Sequence, residues 1–109
     1  MPSIIYLSSA RRDLAQIAES IEDTSQSRDT AVAFIKKLMA HCERFAKLPG
    51  LFGQARPELR PEYRSVTFGN YVIFFRYIGG ESSRENVEIF HVVHGARDLE
   101  AFISRTYGA

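Results

Sequence analysis

Apolar positions recur along this chain with two different periods. Leu14, Ile17, Ala18 and Ile21 form one stripe, and Ala31, Phe34, Ile35, Leu38, Cys42 and Phe45 form a second. Spacings of three and four residues put such side chains on one face of an α-helix. Ser8 and Ser9 offer N-cap oxygens for the first helix, and Ser27 or Asp29 for the second. The polar run 23–27 separates the two, and Pro49-Gly50 stops the second near Lys47. Two amphipathic helices joined by a short polar turn form an antiparallel hairpin whose joined apolar faces must cover something.

The second pattern is extended. Ser3 to Leu7 is short and β-branched, which predicts a first strand. Tyr63–Phe68, Tyr71–Ile78 and Val87–His94 predict three more, with Gly69-Asn70 as a two-residue hairpin turn of the Gly-X kind. The last two strands do not alternate apolar with polar, so both are expected to be central and covered on both faces. Simple alternation groups Ile89, His91 and Val93 on one face and Phe90, Val92 and His94 on the other. The segment 48–62, with Pro49, Gly50, Gly53, Pro57 and Pro61, reads as an ordered loop that is too apolar for a free linker. The polar segment 79–86 reads as a second loop. A short C-terminal helix should follow His94, with Gly95 as N-cap and Asp98 in its first turn, held down by Leu99, Phe102 and Ile103. The expected architecture is α+β. An N-terminal strand and an antiparallel helical hairpin precede a three-strand antiparallel meander and a short helix, giving a four-stranded, mainly antiparallel sheet.

Composition narrows the class. A chain of 109 residues is expected to form one domain, 1–109. Surface scaling gives roughly 6,100 Å² folded against roughly 18,000 Å² unfolded, enough burial to fold without disulfide or metal. Cys42 is the single cysteine and falls on a helical core stripe, which excludes a disulfide framework and points to an inert thiol. The N-terminus lacks the pattern of a signal peptide and no apolar run is long enough to span a bilayer, so a cytoplasmic protein is expected.

The net charge of +1 selects no partner, but its distribution is uneven. Eleven of the 14 basic residues are Arg, the better donor to carboxylate and phosphate forks. Arg44, Lys47, Arg56, Arg60, Arg64 and Arg76 face only Glu58 and Glu62 within their segment. Such a segment is either an ordinary solvated surface or a site for an acidic protein segment or a nucleic acid. Arg76, inside an apolar strand, needs a partner, which Glu88 or a ligand's acid can supply.

Classical chemistry is sparse. His91 and His94 lie three apart on one strand, facing opposite ways, and His41 is on a helix, so no metal site is expected. No phosphate loop or dinucleotide fingerprint is present, and no cofactor is expected. His94, at a strand end beside Arg97, is either a rim histidine bonded to a neighbour or a contact for an anionic partner or a general acid/base. Arg97 next to Asp98 reads as a local ion pair.

Taken together, the strand and helical hairpin, the Leu-Pro-Gly-Leu-Phe-Gly loop, the proline-bracketed Arg60 and Tyr63-Arg64-Ser65 resemble the RelE/ParE toxin superfamily. Gly69 to Arg76 (Gly-Asn-Tyr-Val-Ile-Phe-Phe-Arg) and Val92 to Asp98 (Val-Val-His-Gly-Ala-Arg-Asp) resemble its ParE branch closely. The resemblance implies the toxin of a type II toxin–antitoxin pair. A ParD-like antitoxin would bind it as a hetero-oligomer through an acidic and apolar tail that folds on contact. The free toxin of that branch typically inhibits DNA gyrase, with no catalysis, no direct DNA binding and no membrane. Contacts to antitoxin or target are expected at Arg60, Arg64, Arg76, His94 and Arg97. The alternative is the RelE-like ribosome-dependent mRNA endoribonuclease, whose chemistry would fall to Arg60, Arg64, Arg76 and His94. This chain lacks the paired lysines of that branch before its second strand, and its late Tyr107 lies past the last helix. A third reading keeps antitoxin binding alone, with a degenerate target site. The loop 79–86 is longer than a tight hairpin of this family needs.

Overall fold

A computed structural model of the chain describes residues 3–47, 52–79 and 86–106. The Pro49-Gly50 stop, the apolar Leu48 and Leu51, most of the loop 79–86 and the late Tyr107 lie outside them. The order of elements is β1 (Ser3–Tyr6), α1 (Ser8–Ser25), α2 (Arg28–Lys47), β2 (Gln54–Ala55), β3 (Arg64–Phe68), β4 (Tyr71–Ile78), β5 (Asn86–His94) and α3 (Gly95–Thr106).

The strands form one five-stranded sheet in the order β1-β5-β4-β3-β2. β1 runs parallel to β5 and the other pairs are antiparallel. The expected α+β meander is present. The fifth strand is the difference: Gln54 and Ala55, inside the segment read as a loop, pair with Ser65 and Arg64. A strand of two exposed residues has no hydrophobic period to betray it. Gly69 takes φ +59 in the β3–β4 turn, the conformation a Gly-X hairpin requires of its first turn residue.

Each face of the sheet carries its own core. The hairpin covers the first, where Leu14, Ile17, Leu38, Cys42 and Phe45 pack on Ile73, Phe75, Ile89 and Val92. α3 covers part of the second, where Phe102 meets Val72, Phe74, Phe90 and Val93. Both central strands are covered on both sides, which is why they show no alternation. Truncating a ring such as Phe74 or Phe45 to alanine is expected to cost about 3–5 kcal/mol.

The expected facing of β5 is wrong beyond Ile89. Phe74 opposes His91 while Phe75 opposes Ile89, so Phe90 is an extra residue in a β-bulge. The bulge shifts the parity: Val92 joins Ile89 under the hairpin and Phe90 joins Val93 under α3.

Helix ends also differ from expectation. Leu7, not Ser8 or Ser9, is the N-cap residue of α1 and makes no side-chain cap bond. The Ser9 hydroxyl instead donates to the Phe90 carbonyl at 2.6 Å. α1 runs on through Ser25 and closes at Gln26 in the left-handed region, φ 58. Ser27 caps α2, its Oγ accepting the Thr30 N–H at 3.1 Å. Gly95 is the first residue of α3 rather than its cap.

Candidate functional site

The arginines singled out from the sequence are positioned by different elements and occupied by different partners. Arg64 opens β3 and shares a face with its cross-strand partner Phe75. Its guanidinium donates to the Phe52 carbonyl at 2.8 Å and the Gly53 carbonyl at 2.8 Å, fastening the backbone that enters β2. Gly53 is required there: at φ +82, an added Cβ would fall 2.6 Å from the Ser65 carbonyl oxygen. Arg76 is one residue along from Phe75 and therefore on the opposite face. It pairs with its cross-strand neighbour Glu88 at 2.8 Å, with Glu62 further off at 3.9 Å. Arg56 donates to the buried Ser65 hydroxyl at 2.8 Å. Arg60 is exposed in the turn before β3, and among the described residues nothing pairs with its guanidinium.

His94 closes β5 at the other end of the sheet. It opposes Tyr71, whose ring it meets edge-on at 5.3 Å. Its Nδ1 accepts the Arg97 N–H at 3.1 Å. That is an N-cap bond to the third residue of α3, made by imidazole rather than the usual hydroxyl or carboxylate. Accepting through Nδ1 leaves any ring proton on Nε2. Arg97 turns its side chain onto the adjacent Asp98, Nε to Oδ2 at 3.0 Å. This bond holds the Asp98 carboxyl below and the Arg97 guanidinium above their ordinary values. Arg76 lies five residues along β4 from Tyr71, the partner of His94, so the two are roughly 17 Å apart along the strand. The basic groups are thus dispersed: Arg64 and Arg76 adjoin across the sheet but face apart, and His94 is remote from both.

Another polar constellation was not legible in the sequence. Asp13 of α1 accepts from His91 Nδ1 at 2.9 Å and from the Val92 N–H at 3.0 Å. His91 lies against Phe102 of α3, ring centroids 4.6 Å apart. Asp13, His91 and His94 line a groove of about 310 Å³ between α1 and α3, with Arg97 and Arg105 on the α3 side. Asp13 is separated from His91 by 78 residues, so no local pattern announces the pair.

Among the described residues no three His, Cys, Asp or Glu side chains converge as metal ligands, and no helix is long and apolar enough to cross a membrane. Cys42 is fully buried, and burial pushes its thiol up to about 12, far from a reactive thiolate. His41 is wedged among Phe45, Phe52 and Phe68. Burial, helped by Arg44, lowers its pKa, and its Nε2 has no hydrogen-bond partner among the described residues.

A family model described as the ParE toxin of the type II toxin–antitoxin system, parDE, matches residues 4–99. Toxin ParE1 of Mycobacterium tuberculosis is 29% identical over 85 residues, which span 75% of this chain and 82% of that protein. A solved structure of a chromosomal ParDE system from P. aeruginosa superposes with a TM-score of 0.68 at 17% identity, covering 86% of this chain and 96% of the other. The RelBE2 toxin–antitoxin complex of Mycobacterium tuberculosis gives 0.54 at 21% identity, covering 86% and 99%. At these identities the two structures establish the fold.

Proposed function

The chain belongs to the ParE family of toxins of type II toxin–antitoxin systems, and from that membership we propose that it inhibits DNA gyrase by binding it and catalyses nothing itself. A ParD-like antitoxin neutralises it in a cytoplasmic hetero-oligomer. The observation that carries the non-enzymatic part is the engagement of the basic groups. A nuclease of the sister branch needs several cationic or protonating groups converging on one scissile phosphate. Here Arg64 holds the carbonyls of Phe52 and Gly53, Arg76 holds Glu88, and His94 caps α3 about 17 Å along the strand from Arg76. That arrangement supports a rigid binding scaffold over a phosphate-cleaving cluster.

The acidic tail of the antitoxin suits the arginine bias of the surface, where Arg60 stays unpaired among the described residues. An ordering tail gains apolar burial and charge-assisted hydrogen bonds, both offset by its lost entropy. Co-expression with the product of the adjacent reading frame tests the partner. A stable complex whose affinity falls as salt rises supports the reading, and an affinity flat from low to high salt removes its electrostatic part.

A further inference from the structure

β5 outruns its parallel neighbour. β1 pairs with β5 from Ser3↔Asn86 to Tyr6↔Ile89, and the Leu7 N–H adds one last bond to the Ile89 carbonyl at 3.0 Å. The chain then turns away into α1, while β5 continues to His94. Its other edge stays paired with β4 to the end. From Phe90 onward, the edge that faced β1 has no strand beside it among the described residues.

α1 takes over the first part of that lane. Ser9 and Asp13, one helical turn apart, serve the Phe90 carbonyl and the Val92 N–H. The next residues of α1 on this side, Gln16 and Ser20, line the groove. The ladder fixes which backbone groups remain. Gly95 donates to the Asn70 carbonyl at 2.8 Å, and Tyr71↔His94 is the next pair inward. Bonded and non-bonded pairs alternate in an antiparallel ladder. His94 and Val92 therefore direct their N–H and C=O away from β4. With the Val92 N–H taken by Asp13, the Val92 C=O and the His94 N–H face the lane.

Resting on the antitoxin reading above, we propose that an extended segment of the antitoxin's acidic tail occupies this lane. It continues the line of β1 as an added strand, pairing with the Val92 C=O and the His94 N–H between α1 and α3. Strand addition of this kind draws affinity from main-chain bonds and specificity from alternate side chains. Charge selects the acidic tail. Asp13 is committed to His91 and Val92, and Asp98 to Arg97. Arg105, exposed on the last turn of α3, has no ion pair among the described residues, its field reaching Asp98 only through space. An incoming carboxylate neutralises it. Ala101, small and exposed on the same wall, leaves room for the strand.

The test uses the full chain with the full-length antitoxin from the adjacent reading frame. Ala101→Arg fills the lane from an exposed helical position and is expected to weaken binding at least tenfold. Arg105→Glu is expected to weaken it severalfold, with a shallower salt dependence. Ala33→Arg, on the exposed outer side of α2, is expected to bind as the parent chain does. In the complex, amide exchange at His94 should slow by more than tenfold, while Val92, already bonded to Asp13, should change less. Parent-like binding by both lane variants, or an unchanged His94 amide in a saturated complex, overturns the proposal and leaves the antitoxin reading standing. A chain that dimerises through the lane without antitoxin, and becomes monomeric with Ala101→Arg, also overturns it. Failure of the parent chain to bind the antitoxin at all ends the antitoxin reading and the lane with it.

Discussion

The Arg97 backbone N–H donates to Nδ1 of His94 at 3.1 Å, which makes a strand-terminal histidine the N-cap of the helix that follows. The bond uses the lone pair a general base would need at that nitrogen. Replacing His94 by Asn keeps a capping oxygen, whereas Ala removes it. His94→Asn is expected to melt within about 0.5 kcal/mol of the parent, and His94→Ala to lose about 1 kcal/mol. Growth inhibition should survive His94→Asn. Abolished toxicity in that variant, with unchanged melting and antitoxin affinity, would mark the imidazole as chemical rather than structural.

Asp13 holds two groups of β5 that β1 no longer reaches. Asp13→Ala leaves the Val92 N–H and the His91 ring without their acceptor, for an expected loss of about 1–3 kcal/mol in denaturant unfolding. Asp13→Asn retains one carbonyl oxygen and should lose less. Equal losses for the two variants would mean that the negative charge of Asp13, which Asn lacks, matters and not its acceptor capacity alone.

Arg76 and Glu88 pair across β4 and β5 at 2.8 Å. The site is partly open to solvent, so Arg76→Ala is expected to cost about 1–2 kcal/mol. Glu88→Ala in the same background should add little, because each single truncation strands the other charge. Fully additive losses in a double-mutant cycle would show that the two side chains act independently.

His41 carries the pH prediction. Its folded pKa lies below the ordinary 6.5 because burial disfavours the cation. Above 6.5 both folded and unfolded forms are neutral and the group contributes no pH dependence. Below 6.5 the unfolded chain takes up the proton first, so stability falls with acidification. Between pH 7.5 and 5.5 the parent should lose stability relative to His41→Phe, which keeps the aromatic packing. A constant difference between the two across that range would contradict the assignment.

What was legible in the sequence followed from periodicity. The hairpin stripes, the three long strands and the Gly69-Asn70 turn each repeat a simple pattern, and the need of Arg76 for an acid led to Glu88. The bulge at Phe90 was hidden because the run from Val87 to Val93 places apolar residues on both faces, and its two polar residues, Glu88 and His91, are too few to mark its parity. The cap at His94 escaped because imidazole is not among the usual capping groups. Ser9 looked like a helix-start residue, but it and Asp13 serve an edge of β5 about 80 residues away, a relation only the fold creates. Of the candidate site residues, sequence placed Arg97 beside Asp98 correctly as an ion pair. It could not foresee that Arg64 would be spent on the carbonyls of Phe52 and Gly53.

The central claim is that the target is gyrase and that inhibition needs no chemistry by this chain. The most direct test adds purified chain, free of antitoxin, to DNA gyrase and relaxed plasmid, and in parallel to translating ribosomes with a defined messenger. The account predicts dose-dependent loss of supercoiling, reversed by the antitoxin, with the messenger intact. Unimpaired supercoiling together with messenger cleavage in the ribosomal A site would contradict it.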